Sequence, residues 1–96
     1  MARKKQSRQK PVEAKPEQYF VLATGVPLKN LKELASALEN MNDWVFRHHV
    51  NDHRNDFATW VRDVLREDEL SQEMYSLHNN KDMEIRIIRH LVYKYL

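Results

Sequence analysis

After residue 30, apolar residues recur at the spacing of α-helices along most of the chain. In the first such stretch Leu31, Leu34 and Leu38 share one face, and polar residues occupy the opposite face. Asn30 precedes this stretch and belongs to the residue types that cap helices well. The same pattern repeats four more times, mostly after an asparagine, and predicts helices at about residues 31–41, 43–50, 56–66, 68–78 and 81–96.

The last predicted helix has an unusually wide apolar face. Its apolar residues cover about half of the circumference at about 100° per residue, and they are Ile85, Ile87, Ile88, Leu91, Val92, Tyr95 and Leu96. So wide an arc indicates a helix that is covered on two sides. Either it is the central helix of the bundle, which we favour because a small bundle normally needs an inner helix, or part of its surface is a protein interface.

A short apolar segment, Tyr19–Ala23, precedes the helices and is stopped by Gly25. Pro27 biases Val26 toward an extended backbone. These features predict a short extended segment that packs on the helices. The sequence offers no evident second strand to pair with it, so a strand partner would have to come from another chain.

Charge divides the chain into two parts. Residues 1–18 contain six basic and two acidic residues, net +4, whereas the remainder contains ten basic and twelve acidic residues, net −2. The six basic residues are Arg3, Lys4, Lys5, Arg8, Lys10 and Lys15. Since this segment has few apolar residues, it cannot offset its ordering entropy by burial, which predicts a disordered basic tail. The tail is either an arm that binds nucleic acid or the ribosome without sequence specificity, or a solubilising segment without a specific partner.

Composition removes several classes of function. The chain has no cysteine and one glycine, which excludes disulfides, zinc–cysteine sites, thiol catalysis and glycine-rich phosphate loops. Its serines lack the setting of a nucleophile elbow, and most of its carboxylates fall on predicted solvent faces. We therefore predict a non-enzymatic protein without a cofactor. The lack of cysteine suits a reducing cytoplasm.

Two of the five histidines, His49 and His53, have a spacing that can place both imidazoles on one metal ion within a continuous helix. Asn51 and Asp52 predict a turn between them, so the two histidines would lie on different elements and we predict no metal site. His49 lies on the same apolar face as Val45. This position indicates a buried histidine that has a hydrogen-bond partner.

The two tryptophans differ in their expected surroundings. Trp60 lies on the apolar face of the third helix, and we expect it in the core. Trp44 lies off the apolar face of the short second helix. It is either half-buried against a neighbouring element or an exposed anchor for a partner, and we favour the first because tryptophan is rarely fully buried.

Several of these features follow one another in a familiar order between residues 19 and 78. The order is Gly25, Leu31-x-x-Leu34-Ala35-x-Ala37-Leu38, Val45-Phe46-x-x-His49-Val50 and Asn55-Asp56-Phe57-Ala58-x-Trp60-Val61. The stretch resembles a prokaryotic, archaea-rich domain family of unknown function, and its most specific part is the Asn-Asp-Phe-Ala-x-Trp core. No activity comes with this resemblance.

The resemblance implies that five residues act as a unit, namely His49, Asn55, Asp56, Phe57 and Trp60. Their types favour a structural role, in which Asn55 caps the third helix and the two aromatic residues pack. His49 would then form a hydrogen bond to the turn or to Asp56. The alternative is a small polar site between the second and third helices.

Together these observations predict an all-α domain at residues 19–96, behind a tail at residues 1–18. The domain would be a compact bundle of four to five short helices with a short extended N-terminal segment. The expected function is association with nucleic acid or a ribonucleoprotein through the tail. One alternative is a helical protein–protein interaction module, with a protein partner or a homodimer contact through the last helix. A third is a small-molecule or metal site near His49 and Asp56. No membrane association is expected.

Overall fold

The computed structural model describes residues 10–96. Its helices are α1 (Leu31–Glu39), α2 (Asp43–His49), α3 (Asp56–Asp63), α4 (Asp68–Met74) and α5 (Asn80–Tyr95), and its strands are β1 (Phe20–Val21), β2 (Pro27–Leu28), β3 (Val50–Asn51) and β4 (Arg54–Asn55). The prediction of a mostly helical domain with five helices is confirmed. The description all-α is too narrow, because the four short strands form two antiparallel pairs.

Asparagines begin three of the helices through their side chains. The Oδ1 atoms of Asn30, Asn55 and Asn79 accept the backbone N–H groups of Glu33, Ala58 and Asp82 at 2.8, 3.0 and 2.9 Å. Each contact satisfies an N–H group that has no partner within the first turn of its helix. Local sequence therefore determines where these helices start.

The extended N-terminal segment has a strand partner in its own chain. Phe20 lies opposite Leu28 and Val21 lies opposite Pro27, so the prediction that a partner would have to come from another chain is wrong. Gly25 makes the hairpin possible, because its φ of 91° is rarely adopted by residues with a side chain. The pairing was hard to anticipate because the second strand is only two residues long and begins with a proline.

The segment from Lys10 to Gln18 lies against the domain, whereas the sequence placed it in the disordered tail. Ala14 is buried, and its N–H donates to the carbonyl of Lys29 at 2.8 Å. The carbonyl of Gln18 accepts Nε1–H of Trp60 at 2.8 Å. These contacts join residues 10–18 to the folded domain, although the sequence placed the domain boundary after Gln18.

The core lies between α1, α3, α4 and α5. Helix α5 packs mainly against α1, and α4 packs against both α3 and α5. The fully buried side chains with the largest volumes are Phe57, Leu31, Leu34, Leu38, Leu65, Leu70, Met74, Met83, Ile87 and Val61. Each helix named here contributes to or adjoins this core, so the bundle buries one apolar side of each helix.

Helix α5 is not covered on two sides, so the favoured prediction of a central helix is wrong. Met83 and Ile87 are fully buried, but Ile85, Ile88 and Val92 are 46%, 44% and 44% exposed. Together with the exposed Leu96, these three residues form a line that we name the α5 stripe. Because α1 and α4 cover only the opposite side of the helix, the wide apolar arc leaves an exposed aliphatic surface.

Candidate functional site around His49

The residues of the predicted unit converge where α2, the second hairpin and α3 meet. Helix α2 ends at His49, β3 and β4 form a tight hairpin, and α3 begins at Asp56. The hairpin therefore returns the chain so that Nδ1 of His49 lies 3.0 Å from Oδ2 of Asp56. The Nε atom of Arg54 lies 3.4 Å from the same oxygen. A histidine side chain that is 6% exposed thus faces a carboxylate whose side chain is 34% exposed.

The hydrogen bonds of His49 determine its tautomer. Its Nε2 atom lies 3.0 Å from the backbone nitrogen of Ala23. Because a backbone N–H can only donate, Nε2 accepts and the ring proton is on Nδ1, where it is donated to Asp56. Burial lowers the pKa of His49 and outweighs the opposing effect of the Asp56 carboxylate. The imidazole is therefore neutral, with both nitrogens engaged.

Aromatic rings enclose this histidine. The ring of Phe20 meets the His49 ring edge-on with centroids 4.9 Å apart, and the Phe57 ring lies at 5.1 Å. Phe20 also meets the ring of Trp60 at 5.6 Å. Trp60 is buried, as expected for a core residue. His49 is consequently part of an aromatic cluster that connects the first hairpin to α2 and α3.

Asn55 joins three elements through one buried amide. Its Oδ1 accepts the N–H of Ala58 in α3, and its Nδ2 donates to the carbonyl of Met74 at the end of α4, with both distances 3.0 Å. An ionised aspartate has no donor, and a serine has a single oxygen for both roles, whereas the asparagine amide has a separate donor and acceptor. Asparagine therefore caps α3 and simultaneously ties it to α4.

The structure thus brings His49, Asn55, Asp56, Phe57 and Trp60 together, and their polar groups bond to the protein. No lone pair of His49 remains for a metal ion or for accepting a substrate proton. Within residues 10–96, no three His, Asp or Glu side chains are placed to hold a metal ion. The arrangement is suited to holding the two hairpins and helices α2, α3 and α4 in fixed relative positions.

A shallow cleft of about 620 Å³ lies beside the second hairpin, close to the small polar site that the sequence offered as an alternative. Its polar lining includes Arg47, Arg54, His53, His78 and Tyr75. Arg47 already pairs with Asp43 at 2.7 Å, and Nε of Arg54 lies 3.4 Å from the carboxylate of Asp56. Because both guanidinium groups have partners within the protein, the cleft has little uncompensated charge to attract an anion.

Of the predicted nucleic-acid contacts, Lys10 and Lys15 are exposed, and Arg3, Lys4, Lys5 and Arg8 lie outside the described residues.

Trp44 is 58% exposed, which is more than the favoured prediction of a half-buried side chain implied.

Sequence reasoning missed a second polar cluster, which is centred on Glu67. The sequence grouped this residue with solvent-exposed charges, but its side chain is 3% exposed. One carboxylate oxygen lies 2.9 Å from both Lys94 Nζ and His90 Nε2, and the other accepts the hydroxyl of Tyr95. The only feature of the sequence that points to this cluster is the spacing of His90 and Lys94, which lie four residues apart on one helix face.

Burial alone would raise the pKa of Glu67, but the hydrogen bonds from Tyr95, Lys94 and His90 outweigh it and hold the pKa below its ordinary value. The bond to Glu67 in turn raises the pKa of Lys94. Glu67 is therefore a buried carboxylate that fastens the last turn of α5 to the start of α4.

The fold and these two clusters define a small, mostly helical domain whose buried polar groups bind one another. The chain belongs to the family of unknown function DUF5752, whose model matches residues 9–96. The predicted membership of a family of unknown function is thereby confirmed, whereas its archaea-rich distribution and signature stay predictions. No curated protein and no solved structure matches the chain. Among the described residues, no helix has the length and apolar character needed to cross a membrane.

Proposed function

We propose that this domain is a non-enzymatic binding protein whose basic N-terminal segment associates with nucleic acid or a ribonucleoprotein. The observation that carries the proposal is the concentration of positive charge, net +4 over residues 1–18, on a domain whose remainder is net −2. Polyanion binding through counterion release needs such a local excess of cations and no particular fold. Sequence specificity would not follow, because contacts to phosphates do not read bases.

The way in which the segment joins the domain supports this proposal. Contacts of Ala14 and Gln18 hold the inner end of the segment on the domain. Lys10 and Lys32 line one shallow cleft of about 450 Å³ near the start of α1, together with Glu13. The four further basic residues of the segment, Arg3, Lys4, Lys5 and Arg8, precede Lys10 in the sequence.

Replacing Arg3, Lys4, Lys5 and Arg8 with glutamine is expected to weaken binding to single-stranded and duplex oligonucleotides at low salt. Six cations predict a slope of log K against log salt of about −5 on duplex DNA, and four fewer cations should reduce it by about 3 to 4. Fluorescence anisotropy titrations at several salt concentrations measure both quantities.

The matched control replaces four exposed basic residues of the folded part, Arg47, Arg66, Lys81 and Arg89. It removes the same formal charge but leaves the N-terminal segment intact, so the slope should change little. Equal losses in the two variants would show that net charge alone is responsible. An absence of binding by the unchanged chain at low salt would refute the proposal.

A second candidate function is a helical protein–protein interaction module that binds through the α5 stripe. The specific observation in its favour is the line of exposed aliphatic residues on a helix whose other side is fully packed. Contact through this surface would tolerate salt, because it depends on apolar burial. It would also survive the four glutamine substitutions in the N-terminal segment.

Photo-crosslinking in cells tests this second function. A photoreactive phenylalanine analogue at Tyr93, which is exposed beside the stripe, is expected to give protein adducts that Ile88→Lys removes. The same analogue at Val21, an exposed position of β1, is the matched control and should give none. If Tyr93 gives no more adduct than Val21, the interaction surface is refuted.

A further inference from the structure

We propose that the α5 stripe docks against the α5 stripe of a second copy of this chain, with the two helices parallel. The inference rests on the second proposed function and names its partner. It is independent of the basic N-terminal segment.

The apolar positions of the stripe have the spacing of a coiled-coil seam. Ile85, Ile88 and Val92 are separated by three and four residues, which places them at positions a, d and a of successive heptads. All three are β-branched and partly exposed on the side of α5 that faces away from α1. The d positions on either side are Lys81 and Tyr95, and Tyr95 is buried within its own domain, so the apolar contact would comprise little more than one heptad.

The flanking charges favour one orientation. In a parallel pair, position g of one helix faces position e of the next heptad in the other helix. Glu84 is at g and Arg89 is at the matching e, so the two copies form two Glu84–Arg89 contacts across the pair. In an antiparallel pair with Ile88 opposite Val92, Arg89 would lie near Arg89 of the second copy, which is repulsive.

Glu84 is 13% exposed and already accepts Lys81 Nζ at 3.2 Å. In the dimer the second copy's Arg89 would therefore share this carboxylate with Lys81. Because Arg89 is exposed, its side chain is accessible to a neighbouring chain. This geometry makes the pair a determinant of orientation, and the apolar seam supplies most of the attraction.

The next pair along the helix is also complementary. Leu91 is at g and Leu96 is at the following e, so a parallel arrangement places two leucines against each other at the end of the seam. Leu91 is partly buried and Leu96 is exposed. A contact of this size is near the low end of specific interfaces, so we expect a dimer that dissociates reversibly on dilution.

Sedimentation equilibrium of the full chain over a range of concentrations is the first test. We expect a reversible monomer–dimer equilibrium, at least a tenfold weaker dimer for Ile88→Lys, and no change for the control Val21→Lys. Circular dichroism of both variants checks that they remain folded. A chain that is monomeric at every concentration overturns the inference.

Because the chain has no cysteine, a single introduced thiol reports the orientation. In a parallel dimer Val92→Cys lies opposite itself, so mild oxidation should give covalent homodimers, as should Ile88→Cys. An antiparallel dimer would instead cross-link a mixture of the two variants more rapidly than either one alone. That result would overturn the parallel arrangement, as would a tighter dimer on Arg89→Ala.

The homodimer and the α5 interaction surface can be refuted separately. A monomeric chain whose Tyr93 analogue forms adducts with other proteins overturns the homodimer and leaves the α5 interaction surface in place. A monomeric chain without adducts at Tyr93 overturns both.

Discussion

Replacing His49 with alanine is expected to destabilise the domain by about 3 kcal/mol, which corresponds to a fall in Tm on the order of 15 °C. The substitution removes a ring packed between Phe20 and Phe57. It also leaves the N–H of Ala23 without its acceptor, and an unmade buried hydrogen bond costs about 1–3 kcal/mol. Urea denaturation followed by circular dichroism measures the change.

The same residue should make stability depend on pH. Because the pKa of His49 is lower in the folded domain than its ordinary value of 6.5, the unfolded chain binds the proton more readily. The contribution of the neutral ring is present above about pH 6.5 and is lost as the pH falls through the lowered folded pKa. Asp56 opposes this loss, whereas His48 and Arg54 add to it.

His49→Gln is the informative companion variant. Its side-chain amide can accept from Ala23 and donate to Asp56 but does not titrate, so it should recover part of the stability and lose the pH dependence in this range. His53→Ala, at an exposed position of the hairpin turn, should change stability by less than about 0.5 kcal/mol. If His49→Ala were as stable as the unchanged chain, the structural role assigned to this ring would be wrong.

The helices were predictable because their determinants are local. The asparagine caps and the apolar spacing lie within each helix, and α1, α3 and α5 start within one residue of the predicted positions. Helix ends were less predictable. Helix α3 ends at Asp63, before the predicted end at about residue 66, and Arg66 has a left-handed backbone with φ 63°. The sequence has no glycine there to mark such a turn.

The two polar clusters differ in the same way, because one is formed by neighbours in the sequence and the other by residues far apart in it. His49 and Asp56 are seven residues apart across one turn, so the sequence predicted their contact as an alternative to a bond to the turn. Glu67 binds residues 23 to 28 positions further along the chain. No local pattern reports such a partner, and a glutamate among other charges is normally solvated.

The apolar arc of α5 shows what periodicity leaves undetermined. The spacing predicted the width of the apolar face, and the structure contains that face. Which part is covered depends on where α1 and α4 lie, and this is a tertiary property. The two interpretations of the arc could therefore be separated only by the exposed fractions of Ile85, Ile88 and Val92.

Replacing Glu67 with glutamine is also expected to cost about 3 kcal/mol, although the two side chains have nearly the same shape. The carboxylate accepts three donors, and hydrogen bonds to charged groups contribute about 1.5–3 kcal/mol each. A glutamine amide has one oxygen for these donors, and its NH₂ group would face Tyr95, His90 or Lys94. Lys94 is 46% exposed and can turn to water, which limits the loss.

The control for this variant is Glu73→Gln in α4. Glu73 is exposed, and its Oε1 lies 3.7 Å from Nε of Arg86, which, like the partners of Glu67, belongs to α5. Loss of this exposed ion pair should cost less than about 1 kcal/mol. Hydrogen exchange should locate the difference. In Glu67→Gln the amides of the last turn of α5 are expected to exchange faster, whereas in Glu73→Gln they should keep their protection.

Acid titration provides an independent measurement of the same cluster. Since the folded pKa of Glu67 is depressed, its contribution is present above the ordinary glutamate pKa of about 4.3 and is lost as the pH falls through the folded value. The free energy of unfolding of Glu67→Gln should therefore decline less steeply with acid than that of the unchanged chain. Parallel acid profiles for the two proteins, or a cost below about 1 kcal/mol near neutral pH, would show that Glu67 does not fasten α5 to the bundle.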